Sequence, residues 1–178
     1  MRWQPFLAVP LVVVSSASWG NVYFSTDQAQ QAMFSGGKFV QVPLRLTQEQ
    51  RDLLRARSGV HEPFQENRVW SVPDRGFFII DQVVGKHELI TYAVGLNLDG
   101  SVKQIEILEY RETYGAEVRN PAWRQQFVGK TAVSPVKLNL DITNITGATL
   151  SSKHITDGVR RVLAVYDLAL KGSAGAQR

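Results

Sequence analysis

The middle of the chain alternates apolar runs with turn sequences, and this pattern constrains the fold more than any other feature. Asn97-Leu98-Asp99-Gly100 is a strong hairpin signal between two of these runs. Strands joined by such short turns pair in antiparallel fashion. We therefore predict an antiparallel meander, with strands over residues 68–72, 77–84, 88–98 and 102–110.

Two short helices are predicted before the meander. The first covers residues 26–34 and is capped by Ser25 or Thr26. The second begins after Thr47, because Thr at the cap with Gln three residues later matches a capping box, and it ends at Ser58-Gly59. Between the helices, residues 40–46 alternate like a strand, and the proline within them predicts a place at the edge of the sheet.

Helical signals return after the meander. Asn120-Pro121 is typical of a helix start, and Trp123 and Phe127 would share one face of that helix as core residues. Residues 134–142 are predicted to be a strand, and residues 151–170 a final helix with apolar positions at helical spacing. The expected fold class is α+β, a single domain with an antiparallel-rich sheet flanked by helices.

Composition excludes several classes of protein. The chain has 178 residues, 44% hydrophobic and 20% charged, as expected of an ordinary globular domain. It has no cysteine, which removes disulfides, thiolate metal ligands and cysteine nucleophiles. Its net charge of +4 is scattered, so no nucleic-acid partner is expected. His61, His87 and His154 show no paired spacing, so we predict no metal site. A G-x-S-x-G nucleophile motif is also absent, and the sequence offers no catalytic residues to name.

Residues 1–20 have the layout of a secretory signal peptide. Arg2 is followed by an apolar stretch from Phe6 to Val14, and small residues come after it. The apolar stretch is shorter than the about 20 residues that a membrane-spanning helix needs. We therefore expect a protein in the periplasm, or at the extracytoplasmic face of the membrane. A buried strand or an uncleaved anchor are the alternatives.

The segment from Thr146 to Ser152 carries the main chemical signal. It places hydroxyl groups and Gly147 where a predicted strand leads into the final helix. A helix N-terminus offers free N–H groups and a partial positive charge, which suits a phosphate. The alternative is that these hydroxyls only cap the helix.

Two motifs in register resemble a known family. Thr146-Gly147-Ala148-Thr149-Leu150-Ser151-Ser152 is similar to the S/T-G-A-T-x-T/S signature of the FMN-binding domain. That domain occurs in one subunit each of the sodium-pumping NADH:quinone reductase and of the Rnf electron-transport complex. Residues 110–115 and 123–130 resemble the family's E-T-P-G and F-x-G-K patterns. The resemblance covers residues 76–170, and the residues before them resemble the lead-in of the small secreted members.

The resemblance implies a cofactor and a way of holding it. FMN would be joined by a phosphoester to Thr149, through a separate flavin transferase that uses FAD and a divalent metal. Glu112 and Thr113 would lie against the flavin, and Lys130 near the phosphate or the ring. As alternatives, Glu112 is a strand-end charge and Lys130 a surface lysine. The implied cofactor-binding residues are Thr146, Gly147, Ala148, Thr149, Leu150, Ser151, Glu112, Thr113 and Lys130.

The sequence departs from the family at three positions. Thr143 stands where the family commonly has Asp, and Asp141 lies two residues earlier as a possible substitute. Tyr114 replaces the proline of E-T-P-G and would either stack on the flavin or pack internally. Ala116 replaces a glycine. The missing Asp bears on covalent attachment more than on flavin binding.

The predicted organisation and function follow from these observations. Residues 1–20 are a signal peptide, 21–75 a helical lead-in, 76–170 the FMN-binding domain and 171–178 a flexible tail. The protein would relay electrons to or from a membrane redox partner. The alternatives are a non-covalent FMN binder and a flavin-free secreted interaction module.

Overall fold

The computed structural model describes residues 21–172. The predicted signal peptide and residues 173–178 of the predicted tail lie outside this range. Lys171 and Gly172 continue the last helix, so the tail does not begin at residue 171 as predicted. Within residues 21–172, no helix combines the length and the hydropathy needed to cross a membrane.

A single sheet forms the centre of the molecule, with strand order β1-β6-β5-β4-β3-β2 and antiparallel pairing throughout. The predicted meander is confirmed as β3 to β6. The strand predicted over residues 40–46 is reduced to β2, which lies at the sheet edge as expected. The strands are β1 (Asn21–Val22), β2 (Val40–Gln41), β3 (Val69–Val72), β4 (Gly76–Val84), β5 (Leu89–Asn97) and β6 (Val102–Tyr110).

Three of the helices begin where the sequence places their caps, and the last α-helix begins at Thr149, two residues before the predicted start at residue 151. Ser25 and Thr47 each cap a helix through a complete capping box, and Asn120 accepts a hydrogen bond from the N–H of Ala122. The α-helices are α1 (Thr26–Met33), α2 (Gln48–Ser58), α3 (Pro121–Gln125) and α4 (Thr149–Val165). A 3-10 turn covers Ala116–Arg119, and α4 continues as a π-helical turn over Tyr166–Leu170.

Apolar side chains cover both faces of the sheet and pack against helices, which makes three layers. The predicted α+β fold, an antiparallel sheet flanked by helices, is confirmed. On one face α4 packs against β4 and β5 and contacts α2, and on the other α1 covers the sheet. Trp123 and Phe127 are buried with ring centroids 5.1 Å apart, so their prediction as core residues is confirmed. The lead-in of residues 21–75 supplies three strands to this same sheet, β1, β2 and β3.

The strand predicted over residues 134–142 is wrong. This stretch is a loop with a single isolated bridge, between Leu138 and Ile142. Pro135 has no N–H to donate, and the Asp141 carboxylate accepts from the backbone N–H of Val136 and Lys137. The N–H groups of Val136 and Lys137 therefore form hydrogen bonds within a compact loop and are not available to pair with a strand. As a result, the segment leading into α4 follows a loop and not a strand.

A buried ion pair joins α4 to the sheet. The Arg161 guanidinium donates to both carboxylate oxygens of Asp81, at 2.8 and 3.0 Å, and to the carbonyls of Glu62 and Gln82. The Tyr92 hydroxyl donates to the same carboxylate at 2.6 Å. Burial raises the pKa of Tyr92 well above 10.0, so the phenol stays protonated and keeps donating. The ion pair therefore fixes the position of α4 relative to β4.

Candidate cofactor site

The N-terminus of α4 has no side-chain cap. Gly147 turns the chain with φ +87°, Ala148 occupies the cap position, and Thr149 is the first helical residue. No side chain of the described residues accepts a hydrogen bond from the N–H groups at this end, and the first turn holds no acidic residue. The idea that Thr146 to Ser152 merely cap the helix is therefore wrong. That interpretation was the structural basis of the flavin-free alternative.

The hydroxyl groups near this end have other partners. Ser152 donates to the carbonyl of Ala148 at 2.9 Å and is buried within the helix. Thr149 is exposed, and its Oγ1 lies 3.2 Å from the side-chain amide nitrogen of Asn144. Thr146 and Gly147 are also exposed. The helix therefore presents an accessible hydroxyl beside N–H groups that no side chain caps.

The electrostatics of this end favour an anion. A helix of 17 residues carries a partial positive charge at its N-terminus, and nothing in its own first turn neutralises that charge. Lys153, one turn further along, is exposed and pairs with Asp157 at 2.6 Å. A phosphate group would therefore meet N–H donors and a favourable potential.

The second predicted motif lies directly beside this helix end. The Tyr110 hydroxyl donates to the carbonyl of Tyr114 at 2.5 Å and lies 2.8 Å from Ser151 Oγ. Because a phenol has one proton, Ser151 is the donor in the second bond. Gly115 is buried with φ +99°, and a Cβ there would overlap both Tyr110 and Ser151. The loop after β6 and the first turn of α4 are thus held together.

Glu112 holds a turn of the sheet. Its carboxylate accepts from the backbone N–H of His87 at 2.6 Å and of Glu88 at 3.0 Å, in the turn between β4 and β5. Partial burial raises the pKa of Glu112, but these N–H donors outweigh it and leave the pKa below its ordinary value. Thr113 and Tyr114 are exposed, and Tyr114 is 82% exposed. The predicted contact of Glu112 and Thr113 with the flavin stays a prediction.

Lys130 and Asp141 pair with each other. Lys130 Nζ lies 2.9 Å from Asp141 Oδ2, and the Asp141 carboxylate also accepts from two N–H groups of its own loop. Partial burial raises the pKa of Asp141, but the donors from Lys137, Lys130 and Val136 hold it below its ordinary value. The contacts described for Asp141 therefore serve the loop, and Thr149 is not among its partners.

The sequence patterns do not single out Asn144, a polar residue close to the N-terminus of α4. Asn144 lies within hydrogen-bond distance of Thr149, and its Oδ1 is buried without a partner among the described residues. Nothing about a single Asn in a polar stretch distinguishes it, so only the structure reveals this contact. A cavity of about 240 Å³ also opens along α4 and includes Lys153 and His154 in its lining.

Comparison with known proteins identifies the class. Residues 85–164 match the FMN-binding domain family. This match confirms the resemblance over this part of the chain and supports FMN as the cofactor.

The chain is also similar to a subunit of a known oxidoreductase complex. Over 81 residues the chain is 32% identical to a subunit of the Na(+)-translocating ferredoxin:NAD(+) oxidoreductase complex of Acetobacterium woodii. The alignment covers 40% of this chain, and the chain spans only 39% of the relative's length.

The residues present fit the phosphate end of FMN. The start of α4 has no side-chain cap, and apart from its chain neighbours no atom of the described residues lies within 4 Å of the Cβ position at Gly147, so this turn is open. The side chain of Leu150, next to Thr149, is 45% exposed. The uncapped N–H groups suit the phosphate, and Leu150 offers an apolar contact beside it.

Proposed function

We propose that this protein is a periplasmic electron carrier whose FMN is bound covalently through a phosphoester to Thr149. The observation that carries the proposal is the uncapped N-terminus of α4, which presents the exposed Thr149 hydroxyl as its first helical residue. The match to the FMN-binding domain over residues 85–164 supports the cofactor. The signal-peptide pattern of residues 1–20 supports the location.

The attachment is a group transfer from FAD, made by a flavin transferase with a divalent metal. Thr149 Oγ1 forms a bond to the phosphorus on the riboflavin side of the FAD pyrophosphate. The bond from that phosphorus to the AMP half breaks, and AMP and the hydroxyl proton leave. The free N–H groups of α4 then hold the negative charge that remains on the phosphodiester. A covalent bond suits an exported carrier, because lost FMN is hard to replace outside the cytoplasm.

The electron-transfer role follows from the cofactor and from the relative. Bound FMN supplies a group that takes up two electrons and passes them on singly. The relative's name places it in an oxidoreductase complex, which supports a membrane redox partner for this chain as well. Thr113 and Tyr114, exposed beside the helix end, lie on the side where we expect that partner to dock. Mixed charges on the surface suit brief, salt-sensitive encounters.

In-gel fluorescence tests the covalent bond directly. After co-expression with a flavin transferase, the wild-type protein should show a fluorescent band on a denaturing gel. Thr149→Ala should abolish the band, because the hydroxyl is gone. Thr146→Ala is the matched control, since it removes another exposed hydroxyl of the same motif, and it should keep the band. A fluorescent Thr149→Ala variant would refute the assignment.

A non-covalent FMN binder is the second candidate. It is favoured by Thr143, whose side chain stands where the family commonly has Asp, and by Asp141, whose described partners lie in its own loop and at Lys130. Acid precipitation separates the two candidates, because non-covalent FMN stays in the supernatant. Mass spectrometry of the mature N-terminus from a periplasmic extract tests the location, and an intact residue 1 in the cytoplasmic fraction would contradict it.

A further inference from the structure

The side-chain amide of Asn144 contacts Thr149 on one side and, on the other, has a buried oxygen without a partner in the described part of the chain. The amide nitrogen Nδ2 lies 3.2 Å from Thr149 Oγ1, and Oδ1 is buried with no partner among the described residues. A buried polar atom that is left unsatisfied costs stability.

A residue kept only for packing has no need of this arrangement. An apolar side chain of the same size would fill the space without the unsatisfied atom. The polar contact of Asn144 is with the one hydroxyl that the proposed function uses, and that hydroxyl is otherwise exposed. We therefore expect that Asn144 is kept, in spite of its cost in stability, for its contact with the Thr149 hydroxyl.

We infer that Asn144 is a positioning residue for the attachment of FMN, an inference that rests on the proposed bond at Thr149. The amide fixes the direction of the Thr149 hydroxyl, which on an exposed first residue would otherwise rotate. In one orientation, the amide oxygen Oδ1 accepts a hydrogen bond from the Thr149 hydroxyl. Turned the other way, as in the structure, the amide donates through Nδ2 to Oγ1, and it can donate in the same way after the ester has formed.

The test compares Asn144→Leu with wild type in two measurements. One is the initial rate of flavin incorporation by purified transferase with FAD and Mg²⁺, read from in-gel fluorescence. The other is the thermal midpoint of the flavin-free protein. We expect incorporation to fall about tenfold or more, because a misdirected nucleophile reacts slowly. The thermal midpoint should stay equal or rise, because the unsatisfied polar atom is removed.

Thr143→Ala is the matched control. It truncates the neighbouring exposed side chain, whose backbone but not hydroxyl takes part in the described hydrogen bonds, and both measurements should stay at wild-type values. An Asn144→Leu variant that incorporates flavin at the wild-type rate overturns the inference. A fall in its thermal midpoint that accompanies the loss of incorporation also overturns it, because Asn144 is then a structural residue. Failure of wild type to incorporate flavin refutes instead the proposed bond at Thr149.

Discussion

At the scale of single residues, the carboxylate of Glu112 connects the loop after β6 to the turn between β4 and β5. It binds two backbone N–H groups about 25 residues earlier, in this turn. The same turn is held from the other side by His154, whose Nδ1 lies 2.9 Å from the carbonyl of Gly85. The motif loop and α4 are thus connected through a turn that belongs to neither.

We expect Glu112→Gln to lower the free energy of unfolding by about 1 kcal/mol at pH 7, because a neutral acceptor binds those N–H groups more weakly. The pKa of Glu112 is lowered in the folded state, so its contribution is present above the ordinary value of 4.5 and is lost as the pH falls through the folded-state pKa. Urea unfolding at pH 7 and pH 3 measures this, and the two proteins should differ less at pH 3. The exposed Glu117→Gln is the control, and an equal loss there would contradict the prediction.

At the scale of elements, the site depends on how the chain enters α4. Gly147 has φ +87°, a conformation that costs other residues about 1 kcal/mol or more, while the space around its Cβ position is open. Replacement by Ala therefore strains the backbone without a clash. The strain falls on the turn that presents the free N–H groups and Thr149.

Gly147→Ala should lower the thermal midpoint by about 2–4 °C and also slow flavin incorporation at Thr149. Gly36→Ala is the matched control, because Gly36 has φ +67° and equally open space but follows α1 on the opposite face of the sheet. It should show a similar thermal shift with normal incorporation. Equal incorporation by both variants would mean that the entry turn does not matter for attachment.

The sequence predicts the elements that have cap and turn signals, and it misses the features that depend on side-chain hydrogen bonds formed only when a loop folds. The capping boxes at Ser25 and Thr47 and the hairpin at Asn97–Gly100 are local, and the structure confirms the elements that they predict. Residues 134–142 fail because the Asp141 carboxylate competes for strand donors, which the apolar pattern does not reveal. The contact of Asn144 with Thr149 needs the turn at Gly147, so it too is visible only in the fold.

At the scale of the whole molecule, the pair of Asp81 and Arg161 determines how firmly α4 is held. Asp81→Asn should lower the free energy of unfolding by about 3–5 kcal/mol, because it leaves the buried guanidinium without its counter-charge. The comparison variant is Arg111→Ala, which breaks the more exposed pair with Glu109 and should cost less than about 1 kcal/mol. Urea unfolding of the flavin-free proteins measures both, and similar losses would contradict the prediction.

One edge of the sheet has a consequence for how the protein behaves at high concentration. Within the described residues, the edge strand β2 is two residues long, Val40–Gln41. Such a short edge strand gives the strands of another molecule few backbone groups to pair with, so growth of the sheet into fibrils from this edge has little to start from. The proposed electron carrier would gain from this, because brief encounters with a partner require molecules that diffuse separately.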